Sequence, residues 1–186
     1  MEIERKWKLS PKQAVEFIND SWPEKCFEIF QGYFYCDDPN KEFRVRLILN
    51  GDEPNESKAY LTIKDKTYKK ERKELEISIE KETTFLLFKE CEYFCKKKRF
   101  ICKNGLELNM YKQEKKDFSQ LDPLVIIEKE FDSLEESEQY VPEFQFEEEV
   151  TENPEYFNFN LCKKFNETLE NIFLKSYMEM LAKINK

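Results

Sequence analysis

The chain contains no histidine and only three glycines, and its six cysteines form no CxxC pair. Each absence removes a class of chemistry. Without histidine there is no Ser-His-Asp or Cys-His catalysis, which leaves carboxylates, Lys, Arg, Tyr, Cys or a metal to do any work. A zinc centre would have to be assembled from scattered thiolates alone. Cys26, Cys36, Cys91, Cys95, Cys102 and Cys162 are therefore expected to be reduced and packed as small hydrophobes. No apolar run approaches the roughly 20 residues of a membrane span. The acidic start at Glu2 is unlike the basic region that opens a signal peptide. The expectation is a soluble, cytoplasmic protein with no membrane partner.

Basic charge is also short. The net charge is −8 and the pI is near 5.0, which argues against general nucleic-acid binding, since that needs a net basic face to displace counterions. An anionic ligand remains possible only where Arg and Lys converge locally. With 186 residues, 40% of them hydrophobic, the chain is long enough for a real core. No repeat or linker divides it, so residues 1–186 are read as a single domain, monomeric or homodimeric.

Helix signals are few. In SPKQAVEFINDSW, Ser10 is an N-cap, Pro11 opens the first turn and Gln13 completes a capping box, with Ala14, Val15, Ile18 and Trp22 on one stripe. A second helix is expected after Thr83 or Thr84 through TTFLLFKECEYFC, and a short third from Ser133, with Glu136 three residues on. Leu169, Ile172, Phe173, Met180, Leu181 and Ile184 fall at helical spacing, which predicts a C-terminal helix over about 164–185.

Between the helices the sequence alternates with a period of two. Eight strands are expected: 2–9, 28–37, 42–50, 57–65, 70–80, 96–102, 106–112 and 125–131. Glu147 to Glu149 read as an acidic loop. The strands share an unusual face. Glu2, Glu4 and Lys6 lie opposite Ile3 and Trp7, Arg44 and Arg46 opposite Phe43, Val45 and Leu47, and Thr62 and Lys64 opposite Leu61 and Ile63. Arg72, Glu74 and Glu76 oppose Leu75, Ile77 and Ile79. Lys97 and Arg99 share a face, as do Glu128 and Glu130, where Lys129 interrupts the apolar side.

On any one strand this is an ordinary solvent face. Taken together, the charged faces mix several Arg and Lys with several Glu, and these faces and the apolar faces awaiting helices are met by a closed barrel with a charged lumen. Such a lumen needs ion pairing, metal ions or a polyanion to compensate it. Carboxylates at i and i+2 suit hard divalent cations, and Arg and Lys suit phosphate.

EIERKW resembles the ExExK signature of the CYTH domain, or triphosphate tunnel metalloenzyme, family. QGYF (31–34), FRVR (43–46), LTIK (61–64), RKELE (72–76), KKR (97–99), IEKEF (127–131) and VTENPEYFNFNL (150–161) resemble successive family motifs in the same order. The resemblance, closest to the bacterial-type inorganic tripolyphosphatases, implies an α+β, mainly antiparallel fold: an eight-stranded closed tunnel clad by helices. It implies Mg²⁺- or Mn²⁺-dependent hydrolysis of a small-molecule triphosphate, most simply tripolyphosphate to pyrophosphate and phosphate. By position, Glu2, Glu4, Glu74, Glu76, Glu128 and Glu130 would bind metal, while Lys6, Arg44, Arg46, Lys64, Arg72, Lys97 and Arg99 would clamp phosphates. Glu2, Glu4 and Lys6 would be catalytic. Nucleoside or thiamine triphosphate hydrolysis, ATP cyclisation and non-catalytic polyphosphate binding are the alternatives. The cyclases of the family share a histidine-containing motif that this chain lacks. In LELNMY, Asn109 stands where the family usually has an aspartate, which the resemblance ties to a second metal site.

Overall fold

The computed structural model describes residues 2–21, 23–51, 53, 56–65, 71–102, 104–111 and 123–165. Among them lie ten strands: β1 (Glu2–Leu9), β2 (Lys25–Phe34), β3 (Lys41–Asn50), β4 (Lys58–Asp65), β5 (Glu71–Arg72), β6 (Glu74–Ser78), β7 (Cys91–Ile101), β8 (Leu106–Tyr111), β9 (Leu124–Glu130) and β10 (Glu148–Glu149). Four helices accompany them: α1 (Pro11–Ser21), α2 (Lys81–Phe88), α3 (Leu134–Gln139) and α4 (Asn158–Phe165). The class is α+β, dominated by one antiparallel sheet of order β10-β1-β9-β8-β7-β2-β3-β4-β6.

All eight expected strands are present, but the expected closed barrel is not. The predicted strand over 70–80 breaks at Lys73. Upstream of the break β5 pairs with β1, through Glu2↔Arg72 and Ile3↔Glu71, and downstream β6 pairs with β4. The sheet therefore curves around a lumen without a full ladder between β6 and β1. Among the described residues, two pairs of backbone partners cross that seam.

The alternation sorts the chemistry by face. On the outside, Ile3, Trp7, Leu9, Leu106, Leu108, Val125 and Ile127 pack with Ala14 and Phe17 of α1. Trp7 is fully buried, its ring 5.6 Å from that of Phe144 and 5.8 Å from that of Tyr140. Phe30, Val45, Leu47, Ala59 and Phe94 pack beneath Phe88 of α2. Gly32 is needed there, since a Cβ at that position would lie 2.7 Å from Cys91 Sγ and 3.0 Å from Phe88. Lys129, the interruption in the apolar face of β9, lays its ammonium over the rings of Phe131 and Tyr140 at 5.3 Å each.

Two local helix signals are realised. The Ser10 amide donates to Gln13 Oε1 at 2.9 Å and the Gln13 amide donates to Ser10 Oγ at 3.3 Å. At α3 the Glu136 amide donates to Ser133 Oγ, and Glu136 Oε2 accepts from the Asp132 amide, both at 3.1 Å. Other expectations are corrected. In α1 Phe17 is buried while Val15 is 60% exposed, because the docked stripe is centred on Ala14 and Phe17; Trp22 lies outside the described residues. α2 starts at Lys81 and stops at Phe88, and Cys91 to Cys95 belong to β7, since that apolar run fits both periods. Glu148 and Glu149 form β10 rather than a loop, drawn onto β1 by ion pairs of Lys8 with Glu147 and of Arg5 with Glu149. Of the predicted C-terminal helix, α4 reaches Phe165 and residues 166–186 lie outside the described residues. The expectation that all cysteines are reduced is also corrected: Cys95 and Cys162 are joined as a disulfide, tying β7 to α4. α4 thereby enters one end of the lumen, where Leu161 and Cys162 pack on Tyr33, Tyr111 and Ile126.

Candidate active site

Side chains of alternate residues from seven strands, β1, β3, β4, β5, β6, β7 and β9, meet in a cavity of about 370 Å³. Five cations line it, Arg44, Arg46, Lys64, Arg72 and Arg99, with seven carboxylates, Glu2, Glu4, Glu42, Glu74, Glu76, Glu128 and Glu130, and with Asn158 of α4. Every lumen residue named by the resemblance is therefore brought to one place, except that Lys6 and Lys97, each 1% exposed, lie beneath the wall rather than on it.

The cations and carboxylates are interleaved in one web, fixed by cross-strand register. Lys64 Nζ contacts Glu2 at 2.9 Å and Glu74 at 2.6 Å. Arg72 contacts Glu2 at 3.4 Å and also pairs with Glu4. Arg44 reaches Glu74 and Glu76 at 3.4 and 3.5 Å, and Arg46 reaches Glu76 at 2.7 Å. On the opposite wall Lys6 lies 3.2 Å from Glu4 and 3.0 Å from Glu128. Glu128 also takes contacts from Arg99 at 3.0 Å and Lys97 at 3.9 Å.

The environment sets the ionisation. Burial would raise Glu2, but Lys64 and Arg72 outweigh it and hold the carboxyl at about 2. Burial likewise opposes charge on Glu128, yet Lys6, Lys97 and Arg99 together keep it well below the usual carboxylate range. Burial, followed by Arg44, presses Arg46 down to about 10. Glu130 is the contrasting case. Partial desolvation, then the carboxylates of Glu107 and Glu2, push it up. It sits directly across from Glu4 in the β1–β9 ladder.

Two features bear on what the lumen accepts. The Nε–H groups of Arg44, Arg46 and Arg72 are buried without a hydrogen-bond acceptor, so donors remain for an anion. Carboxylates outnumber cations on the cavity wall, and Glu130 carries a charge its neighbours repel, so oxygen donors of the kind that suit a hard divalent cation are also present. As they stand, Glu2, Glu4, Glu74, Glu76 and Glu128 are turned to Arg and Lys. Among the described residues no three His, Cys, Asp or Glu side chains are gathered closely enough to enclose a metal ion.

Some lumen residues escaped the sequence reading. Glu42 lies two residues before Arg44 on the same face, so the alternation could have found it. Asn158 had no such signal: it enters on a helix, where its Oδ1 accepts from Tyr111 Oη and from Lys97 Nζ, the latter at 3.5 Å. Gln31 points inward next to the disulfide, its Nε2 3.2 Å from Cys95 Sγ.

No family model matches the chain, and no curated protein matches it. Solved structures do. The putative adenylyl cyclase HpAC1 of Hippeastrum, described as having a dominant triphosphatase activity, aligns with a TM-score of 0.55 at 16% identity, over 74% of this chain and 83% of that one. The PH1012 protein of Pyrococcus horikoshii OT3 aligns at 0.52 and 23% identity, over 96% and 98%. A conserved hypothetical protein of Pyrococcus furiosus aligns at 0.51 and 28% identity, over 74% and 84%. At the level of the fold the resemblance in the sequence is borne out: the chain has the CYTH, or triphosphate tunnel, fold. Among the described residues no helix is long and apolar enough to cross a membrane.

Proposed function

We propose that the chain hydrolyses linear triphosphates in this lumen, with inorganic tripolyphosphate as substrate and Mg²⁺ or Mn²⁺ as cofactor, giving pyrophosphate and phosphate. The observation that carries the reading is the ring of Arg44, Arg46, Lys64, Arg72 and Arg99 around one cavity, three of its guanidinium groups holding a buried Nε–H with no acceptor. A row of phosphates presents oxygens on every side, which matches donors arriving from every side. The triphosphatase activity described for the Hippeastrum protein supports the reading through shared fold alone.

The cations are already paired, so substrate entry is an exchange of partners. Arg44 and Arg46 turn from Glu74 and Glu76 to phosphate oxygens, and Lys64 and Arg72 do the same from Glu2 and Glu4. One charge-assisted hydrogen bond replaces another, which keeps the exchange inexpensive. The carboxylates released, with Glu130, would hold the divalent cation, Glu2 and Glu4 foremost and Glu74, Glu76 and Glu128 around them. When bound, that cation would neutralise phosphate charge and help activate a water for attack on a terminal phosphorus. Lys6, fixed between Glu4 and Glu128, keeps both carboxylates oriented. Arg46 and Arg99 supply positive charge to the oxygens on which charge builds as the phosphorus–oxygen bond breaks.

The test is phosphate release from tripolyphosphate, ATP and thiamine triphosphate with Mg²⁺ or Mn²⁺, for the wild type and Glu4→Gln. Metal-dependent release, fastest from tripolyphosphate and reduced at least about 100-fold by the substitution, is expected. No release from any of the three overturns the reading. Cyclic AMP as the main product from ATP would make the chain a cyclase, and tight binding without turnover would make it a polyphosphate sensor.

A further inference from the structure

Asn109 is fully buried on the lumen side of β8 and does not line the cavity, yet it touches two residues that do. Its Oδ1 accepts from Arg99 Nε at 2.9 Å, and its Nδ2 donates to Glu128 Oε2 at 3.0 Å and to the Glu107 carbonyl at 3.3 Å. Arg99 closes the ring by donating from its terminal nitrogens to Glu128 at 3.0 Å and to Glu107 at 2.6 Å. All three nitrogens of the guanidinium are thus held, and its plane is fixed relative to the cavity. The amide orientation is dictated by its neighbours: Arg99 can only donate and the Glu128 carboxylate can only accept.

We infer that Asn109 is a positioning residue that aims Arg99 at the phosphate-binding cavity, and that it must be neutral to do so. One end of the side chain has to accept from a cation while the other donates to a carboxylate. Asparagine does both. An aspartate would still accept from Arg99 but would lose the N–H donor and set a like-charged carboxylate 3.0 Å from Glu128. Asparagine is therefore not a lost metal ligand at this position. Substituting Asp should disorder the anion clamp rather than complete a metal site.

This inference rests on the lumen being a triphosphate site, and equilibrium binding separates the two. Tripolyphosphate is titrated calorimetrically, without metal, into the wild type, Asn109→Asp, Asn109→Ser, Arg99→Ala and each Asn109 variant combined with Arg99→Ala. Serine removes the amide without adding charge, and so tests the contact even if the aspartate variant fails to fold. We expect each Asn109 variant to bind about tenfold more weakly, the loss of one well-placed charge-assisted contact, and to add nothing to the loss already caused by Arg99→Ala. A side chain that merely supported the fold would weaken binding additively in both backgrounds. Binding by the wild type with Asn109→Ser unchanged, an additive loss, or faster metal-dependent hydrolysis by Asn109→Asp each overturns the inference while leaving the triphosphate site standing. No binding by the wild type, either without metal or with Mg²⁺, overturns both.

Discussion

Replacing Lys6 by Met should be among the most damaging single changes to stability that this protein can suffer outside its apolar core. Lys6 is 1% exposed and its ammonium sits between Glu4 at 3.2 Å and Glu128 at 3.0 Å. Burial, the largest single influence, would discharge it, but Glu128, Tyr111 and Glu2 together outweigh burial and raise its pKa above the usual lysine value. The stabilisation is thus fully present at neutral pH and is lost only as pH rises through that raised value. Removing one partner of a buried pair costs about 3–5 kcal/mol, because the other charge is left behind. Here Glu4 keeps Arg72, and Glu128 keeps Arg99 and Asn109, so the low end, about 3 kcal/mol, is the expected loss. In a chain of this length that corresponds to a fall in Tm of roughly 6–12 °C. Urea unfolding of the wild type, Lys6→Met, Glu128→Gln and the double variant gives the coupling directly. The double variant should be less unstable than the sum of the singles by about 1–3 kcal/mol. Lys6→Met within about 0.5 kcal/mol of wild type, or additive singles, would refute a lumen in which this lysine is sealed between two charged carboxylates.

Two further outcomes follow from the same web and from the disulfide. Glu2 is held at about 2, against 4.5 for an ordinary glutamate, so it contributes about 3 kcal/mol above pH 4.5. That contribution drains away as pH falls from 4.5 towards 2; urea midpoints between pH 6 and pH 3 should fall steeply for the wild type and less steeply for Glu2→Gln, and equal slopes would refute the assignment. The Cys95–Cys162 bridge closes a sequence separation of 67, for which chain entropy gives about 4 kcal/mol. Reductant should therefore lower the wild-type Tm and leave Cys162→Ser unmoved, and a wild type indifferent to reductant would argue that the two thiols are not joined.

The strands and their two faces were legible because a period of two is written in neighbouring residues: Arg44 and Arg46 against Val45 and Leu47 need no knowledge of the rest of the chain. The caps at Ser10 and Ser133 were legible for the same reason, each being complete within four residues. What could not be read depends on contacts far apart in sequence. The break at Lys73 exists because β1 and β4 compete for one segment. β10 has no strand-like composition of its own and forms because Arg5 and Lys8 hold its glutamates. The alternation said which charges face the lumen, but not that Glu128 would gather Lys6, Lys97, Arg99 and Asn109, which is decided by the register of four strands. Asn109 illustrates the limit most clearly: in sequence it is a missing charge, and in the fold it is a bridge between two charges.

The seam between β1 and β6 gives these side chains a second duty. Among the described residues, backbone pairing there is confined to Glu2↔Arg72 and Ile3↔Glu71, and the remaining contacts across it include Lys64 on Glu2 and Arg72 on Glu2 and Glu4. Vessel and lining are made of the same atoms at this point. A guest that draws Lys64 or Arg72 to itself also unfastens a clasp in the wall that surrounds it, so the girth of the lumen and the charge of its contents are a single variable.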